Sequence, residues 1–294
     1  MDGFETRRPV IVGVDRSEAS RWAVRWASDE AAGRHLPLRL LHAQEWPTGR
    51  TAGEAGHPWE TGLRAAGEAV LGAARLLADQ RHPGLGITSE LAEGRPVRVL
   101  REAADEASQL VLGVRRLSDV RSALPIGSRG ASLAGHLNCP LTLVPEPAEG
   151  VSGPAGGISG PGPVVVGVDG SRASHGAVGL AFEEASLAGT DVLAVEVRRP
   201  VEAGLPDLIE ESLVNPSEAL AGWHEKYPDI RVRHEVLTGS PAPVLAAVAT
   251  RSHCLVIGSR GLGGFRGLLF GSTGRALVHR CTVPLVIVPD RATA

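Results

Sequence analysis

The chain has 294 residues, a formal net charge of −3 and 43% hydrophobic residues, of which few are aromatic. This length allows two domains of ordinary size, and the charge, without any basic run, argues against nucleic-acid binding. No stretch approaches the roughly 18 consecutive apolar residues of a membrane span, and the N-terminus lacks the apolar segment of a signal peptide. We therefore expect a cytoplasmic protein that does not bind membranes and keeps its three cysteines buried and reduced.

The chain contains the same pattern twice. Residues 8–17 read RPVIVGVDRS and residues 162–171 read GPVVVGVDGS. Between the two copies lies a segment rich in Pro, Gly and Ser, which is typical of a flexible linker. The sequence thus predicts two tandem domains, at residues 1–146 and 162–294, joined by a linker at residues 147–161.

Strand and helix signals alternate along each copy. Continuous apolar runs, typical of strands covered on both faces, are followed by amphipathic stretches, and Ser17 is a plausible helix N-cap. Such alternation predicts an open parallel sheet with helices on both faces. The predicted strands are Val10–Val14, Leu38–Ala43, Ile87–Glu93, Leu110–Leu112 and Leu141–Val144 in the first copy, and Val192–Val197, Ile230–Leu237, Leu255–Ile257 and Leu285–Val288 in the second, after a first strand in the repeated segment 162–171.

The stretch GSRGLGGFRGLLFGSTG, residues 258–274, directly follows a predicted strand. Its glycines could form a tight turn, or they could let the backbone approach a bulky anion. The helix predicted to start near Ser272 would offer free N–H groups, Ser272 and Thr273 would add hydroxyl donors, and Arg260 would add positive charge. The loop is longer than a turn requires, which favours the anion-binding interpretation.

The spacing Gly258-x-x-Gly261, nine residues, then Gly271-Ser272 resembles the ATP-binding signature of the universal stress protein family. The segment Val166 to Ser171 resembles the first strand and turn of the same family, and the resemblance covers nearly the whole chain as a tandem of two such domains. It implies that each domain is a five-stranded, Rossmann-like α/β unit. It further implies an adenine nucleotide, ATP, between the ends of the first and fourth strands. The implied contacts in the second copy are Gly167, Asp169, Val197, Gly258, Arg260, Gly261, Gly271, Ser272 and Thr273.

The first copy departs from this signature. Arg116 stands where the second glycine is expected, and Gly127-Ser128 comes one residue late. The matching positions are Gly13, Asp15, Ala43, Gly113, Gly127 and Ser128. The glycine loop of the first copy is therefore degenerate. A bulky side chain at position 116 would hinder close approach of the backbone to phosphate, whereas the arginines at 115, 116 and 121 could compensate by their charge, so the sequence leaves open whether the first copy binds nucleotide.

The sequence offers no clear catalytic group. His42 and Glu196 occupy equivalent positions near the implied adenine pocket, and a polar strand end is favoured over a general base. Asp15 and Asp169 could hold magnesium through a phosphate-bound water, but no second carboxylate accompanies either in the motif, so magnesium stays an open alternative. The leading hypothesis is an ATP-dependent stress-response module with little or no turnover, and the alternatives are a slow ATPase or a nucleotide-free interaction scaffold. In the family the final strands pair across a two-fold axis, and here the two copies could satisfy that pairing within one chain. The resemblance further implies a homodimer of such chains, with four domains.

Overall fold

The structure is a computed structural model that describes residues 7–45, 58–115, 133–147, 162–198, 220, 222–223, 225–261 and 270–290. The described residues fall into two compact units. One is formed within residues 7–115 and Leu137–Glu146, and the other is built around residues 162–290. Each unit contains the five strands of one of the two sequence copies.

In the first unit a helix follows each of the first three strands, in the order predicted. Val10–Gly13 is a fully apolar strand that ends in glycine, and Ser17 caps the helix after it by accepting a hydrogen bond from the Ser20 N–H. The elements are β1 (Val10–Gly13), α1 (Glu18–Gly33), β2 (Leu38–Gln44), α2 (Pro58–Arg81), β3 (Ile87–Glu93), α3 (Pro96–Ala104), β4 (Gln109–Val114) and β5 (Leu141–Pro145).

The second unit repeats the order of the strands and the helices that follow the first and third strands. Ser171 caps its first helix as Ser17 does, and that helix ends at Gly189, whose φ of 62° is the left-handed conformation that favours glycine. The elements are β6 (Val164–Val168), α4 (Arg172–Ala188), β7 (Val192–Arg198), β8 (Val232–Thr238), α5 (Pro241–Val248), β9 (Leu255–Gly258), α6 (Ser272–Val278) and β10 (Leu285–Val288). A short 3-10 turn, Ala249–Arg251, follows α5.

Each unit contains a parallel five-stranded sheet, which confirms the predicted α/β fold. The strand order is β3-β2-β1-β4-β5 in the first unit and β8-β7-β6-β9-β10 in the second. In each unit the first strand lies between the second and the fourth, for example with Val12 opposite Leu40 on one side and Val111 on the other. The strand order reverses at this first strand, and in open parallel sheets ligands bind beyond the carboxyl ends of the strands at such a point.

The predicted strands agree with the observed ones to within two residues at each end. Two strand ends differ by two residues: β4 ends at Val114 instead of Leu112, and β8 begins at Val232 instead of Ile230. Ile230 is buried but lies in a turn, where its N–H bonds to the Tyr227 carbonyl. An apolar residue that packs from a turn cannot be told from a strand residue by its hydrophobicity. Within the described residues, no helix is long and apolar enough to cross a bilayer.

The first helix of each unit packs with its backbone directly against the fourth strand. A Cβ added to Gly113 would lie 2.4 Å from the carbonyl carbon and oxygen of Ala19 in α1. A Cβ added to Gly258 would lie 2.7 Å from the carbonyl carbon of Ala173 in α4. Only glycine permits such an approach between two backbones. These two glycines therefore set the distance between the helix N-terminus and the neighbouring strand end.

We predict that Gly113→Ala destabilises the first unit by about 1–3 kcal/mol, because the new methyl group would overlap helix backbone that cannot rotate away. The exposed Gly72 of α2, around which a Cβ would meet nothing within 4 Å, gives a matched control. Gly72→Ala should raise the free energy of unfolding by up to about 1 kcal/mol, since alanine favours the helix. Urea unfolding of both variants measures the two effects, and equal stabilities would contradict the packing argument.

None of the three cysteines, all of which lie in the described residues, is exposed. Cys139 and Cys254 are buried, and Cys281 is partly buried after α6. Desolvation raises the pKa of the Cys281 thiol to about 11, although the backbone around Val283 and Thr282 partly opposes this shift through hydrogen bonds. The reactive form of a thiol is the thiolate, so burial makes this side chain a poor nucleophile.

We predict that native protein at pH 8 reacts slowly with a thiol-specific disulfide reagent. With a pKa of about 11, only about one Cys281 thiol in a thousand is ionised at that pH. The reaction rate of Cys281 should rise about tenfold per pH unit below that pKa. All three thiols should react at once after unfolding in guanidinium. Rapid labelling of Cys281 in the native state would show that the thiol is not desolvated as described.

Candidate functional site

The turn after the first strand of each unit is built as a closed set of hydrogen bonds. In the second unit the Ser171 N–H donates to Asp169 Oδ1 (3.0 Å), and the Ser174 N–H donates to Ser171 Oγ (3.2 Å). The Asp169 N–H then donates to Ser174 Oγ (3.3 Å). This ring fixes the aspartate at the carboxyl end of β6 and begins α4 beside it.

The first unit contains the same ring. The Ser17 N–H donates to Asp15 Oδ1 (2.8 Å), the Ser20 N–H to Ser17 Oγ (3.1 Å), and the Asp15 N–H to Ser20 Oγ (3.0 Å). The second serine of this D-x-S-x-x-S spacing was not singled out from the sequence. Its presence at the same distance in both copies is the signal that could have found it.

The structure brings Asp169 and Gly261 together, although 92 residues separate them in the chain. A Cβ added to Gly261 would lie 2.3 Å from Asp169 Oδ2, so the carboxylate occupies the space that any other residue at position 261 would need. The Ser171 hydroxyl also donates to the Arg260 carbonyl oxygen (3.4 Å). The ends of β6 and β9 thus form one polar corner, where the carboxylate of Asp169 and the side chain of Arg260 are exposed.

The far end of the glycine loop returns to the same corner. The Gly271 N–H donates to the Ser259 carbonyl oxygen (3.0 Å), while Ser259 is held to the end of β10 through the Val288 carbonyl (2.8 Å). The Ser259 hydroxyl in turn accepts the Asp290 N–H (3.1 Å). Residues 262–269 of the loop lie outside the described residues, but its two ends are joined here.

Helix α6 begins at this corner, with Ser272 and Thr273 as its first two residues. Gly271 is its N-cap, with φ −65° and ψ 152°, and it has no side chain to cap the helix. A Cβ at Gly271 would make only an ordinary contact, 3.5 Å from the Ser259 carbonyl oxygen. The first N–H groups of a helix have no partner within the helix, so they remain available to an acceptor at this corner.

Other predicted site residues lie at the strand ends but serve a packing role that the sequence does not reveal. A Cβ at Gly13 would meet Leu112 and Leu100, at 2.6 and 3.0 Å, and one at Gly167 would meet Leu245 at 3.2 Å. These glycines give room to core leucines. Gly113 and Gly258, as described above, give room to a helix backbone.

Val197 and Ala43 lie near the carboxyl ends of the second strands. Val197 follows Glu196, the residue paired with the last residue of β6, and Ala43 occupies the equivalent position in β2. Beside them, the His42 Nδ1 hydrogen-bonds to the Val14 carbonyl oxygen (2.7 Å), and Arg198 Nε donates to Glu196 Oε1 (2.8 Å). These contacts fit the interpretation of His42 and Glu196 as polar strand ends.

The corner of the first unit differs from that of the second in one hydrogen bond. The Ser17 hydroxyl donates to Asp15 Oδ1, so that one carboxylate oxygen receives both groups of the same serine. The equivalent Ser171 hydroxyl donates to the Arg260 carbonyl instead. Gly127 and Ser128, predicted for the first site, lie outside the described residues, as does Arg116. Within the described residues, no group of three His, Cys, Asp or Glu side chains is placed to hold a metal ion.

Comparisons with known proteins agree with the repeat. The profile of the universal stress protein family matches residues 6–145 and 162–289. A universal stress protein of Mycobacterium tuberculosis is 33% identical over 301 aligned residues, which cover 95% of this chain and 96% of its own. A solved universal stress protein of Archaeoglobus fulgidus has the same fold, with a TM-score of 0.69 at 16% identity, and covers 98% of both chains. Two matching segments, and a relative aligned over nearly its whole length, establish that the chain belongs to the universal stress protein family as a tandem, two-domain member.

Proposed function

We propose that the second unit binds ATP and that the chain acts as a nucleotide-dependent stress-response module of the cytoplasm with little or no turnover. The observation that carries this proposal is the close approach of Gly261 to Asp169, which joins the turn after β6 to the loop after β9. Both ends of that loop and the start of α6 meet at the same corner. Family membership leads us to expect a nucleotide site, and we assign that site to this corner.

Each residue of the corner suits one part of the ligand. Asp169 would accept hydrogen bonds from the ribose hydroxyls, and Val197 would contact the adenine through its backbone and apolar side chain. The backbone at Gly261 and Gly271 would approach the phosphates, where a helix N-terminus stabilises negative charge. The loop residues Arg260, Ser272 and Thr273 would add one positive charge and two hydroxyl donors.

The same corner gives little support for rapid hydrolysis. ATP would carry Mg²⁺ into the site. This ion is usually bound by one or two carboxylates together with oxygens of the substrate. Asp169 is the acidic group that this proposal places near it. A hydrolase also needs a side chain that positions the attacking water. Glu196 is engaged with Arg198, which makes it a poor candidate for that role.

ATP should raise the melting temperature of the natural protein, and Gly271→Asp should abolish the rise. At a hundred times its dissociation constant a ligand adds about 2.7 kcal/mol, which is a shift of several degrees for a domain of this size. The substitution is well suited to the test because aspartate is a preferred N-cap and the site tolerates a Cβ, so folding should not suffer. The new carboxylate would repel the phosphates.

Two control variants complete the thermal measurement. Gly271→Asn keeps the capping ability without the charge and should keep most of the ATP-induced shift. Gly127→Asp makes the matching change in the first copy, the weaker site in this proposal, and should also keep it. No shift in the natural protein would favour the nucleotide-free scaffold, and a shift that survives Gly271→Asp would place the ligand elsewhere.

Phosphate release should stay below about one per second in the natural protein, under the usual range of enzymes, and should not fall further in Gly261→Ala. The alanine methyl group would displace the Asp169 carboxylate, which is the end of a side chain and can rotate, so the fold should survive. Release measured with a phosphate sensor at saturating ATP and Mg²⁺ checks this. Faster release that Gly261→Ala abolishes would identify the chain as an ATPase using the same corner.

A further inference from the structure

Strand β8 is the edge strand of the second sheet that carries exposed side chains on both faces. In the part of the chain that the structure describes, β8 pairs only with β7. Its four consecutive residues from Arg233 to Val236 are exposed, and Val236 exposes 48% of its surface. An edge of this kind presents unpaired N–H and C=O groups to a further strand.

The hydrogen bonds to β7 show which of these groups point outward. The Val192 N–H donates to the Arg231 carbonyl, and the Gly239 N–H donates to the Arg198 carbonyl. In a parallel pair the bonding residues of one strand alternate, so the odd-numbered residues of β8 bond to β7. The N–H and C=O of the even-numbered residues Val232, His234 and Val236 therefore point away from the sheet.

A second copy of β8 fits this edge in one antiparallel register. If a two-fold axis passes at His234, the outward residues form three hydrogen-bonded pairs, with His234 opposite itself and Val232 opposite Val236 in both directions. Arg233 then lies opposite Glu235 of the second copy, also twice. These are the non-hydrogen-bonded positions, at which side chains come closest, about 4.5 Å between Cα atoms.

Among the described residues, no ion pair already engages Arg233 or Glu235. Both side chains are exposed, and the residues paired with them on the neighbouring strand β7 are the apolar Leu193 and Val195. A register centred one residue later would place Glu235 against itself and lose both attractive pairs. Opposite charges on facing strands stabilise a sheet and like charges destabilise it, so the sequence of β8 selects the register centred at His234.

The equivalent edge of the first unit provides an internal comparison. Strand β3 is also exposed along most of its length, but its charged residues, Glu90 and Glu93, are both acidic. No two-fold register of β3 can pair opposite charges.

We propose that two copies of this chain associate through β8, which pairs with itself antiparallel about a two-fold axis at His234. This association is independent of nucleotide binding.

Charge reversal with rescue tests the proposal on the full-length chain. Sedimentation velocity over micromolar to sub-millimolar concentrations should show the natural protein moving from the 30.6 kDa monomer toward twice that mass. Such short strands bury far less than the roughly 1,600 Å² of a typical stable interface, so the association is expected to be weak. Arg233→Glu and Glu235→Arg should each raise the dissociation constant at least about tenfold, because each creates two like-charge pairs. The double variant Arg233→Glu/Glu235→Arg restores opposite charges and should restore dimerisation.

Two further variants separate this edge from other surfaces. His234→Pro removes an N–H that points outward and spares the bonds to β7, so it should abolish the dimer and leave the thermal stability nearly unchanged. Glu90→Arg, on the matched strand β3, should leave the dimer intact. The proposal is overturned by a natural protein that stays monomeric throughout, or by single reversals that leave the dissociation constant unchanged. It is also overturned by a double variant that fails to recover, or by loss of the dimer in Glu90→Arg, which would implicate β3.

Discussion

The close packing of a helix backbone against a glycine at a strand end is the constraint on which both candidate sites depend. Because Gly113 and Gly258 have no side chain, the first turns of α1 and α4 lie directly over the fourth strand of their sheets. The N-terminus of each helix, with its ring of aspartate and two serines, is thereby brought to the end of that strand. In the second unit the loop that leaves β9 consequently meets Asp169 as soon as it begins. A larger residue at either glycine would separate the helix from the strand and open the corner.

The order of strands and helices could be predicted from the sequence because each buried strand is a continuous apolar run between polar caps, and because the pattern occurs twice. The roles of individual glycines could not. Gly258 and Gly261 belong to one motif, yet the first faces a helix backbone and the second faces a carboxylate. The resemblance places Gly13 and Gly167 on the ligand side, and leucine side chains lie where a Cβ at either position would project. The sequence shows only that a glycine is present, not whether a helix backbone, a leucine or a ligand occupies the space beside it. Only the packing in the structure distinguishes these roles.

Each unit has the same kind of turn after its first strand, but the hydroxyl of the serine in that turn donates to a different acceptor in each unit. Ser17 donates both its N–H and its hydroxyl to Asp15, which holds that carboxylate in its own turn. Ser171 donates only its N–H to Asp169 and uses the hydroxyl to hold the Arg260 carbonyl. The backbone of the glycine loop is therefore tied to α4 in the second unit. This difference parallels the sequence, in which glycine at position 261 corresponds to arginine at 116, and it makes the second unit the better candidate for close contact between loop and ligand.

The proposed nucleotide site and the proposed β8 edge share one strand, β7. Val197, near the end of β7, pairs with Leu237 of β8, and Glu196 lies 3.7 Å from His234 (Oε2 to Nε2). Strand β7 is hydrogen-bonded to a parallel strand on each side and is therefore stiff. A ligand at its carboxyl end could act on the β8 edge without rearranging the sheet. Any effect must nevertheless be reciprocal: if ATP changed the affinity of β8 for its second copy, dimerisation would change the affinity for ATP by the same factor. Because the charges that select the β8 register lie on the opposite face of the strand from Glu196 and His234, that factor should be close to one. The proposed dimerisation and the proposed nucleotide binding are then separable.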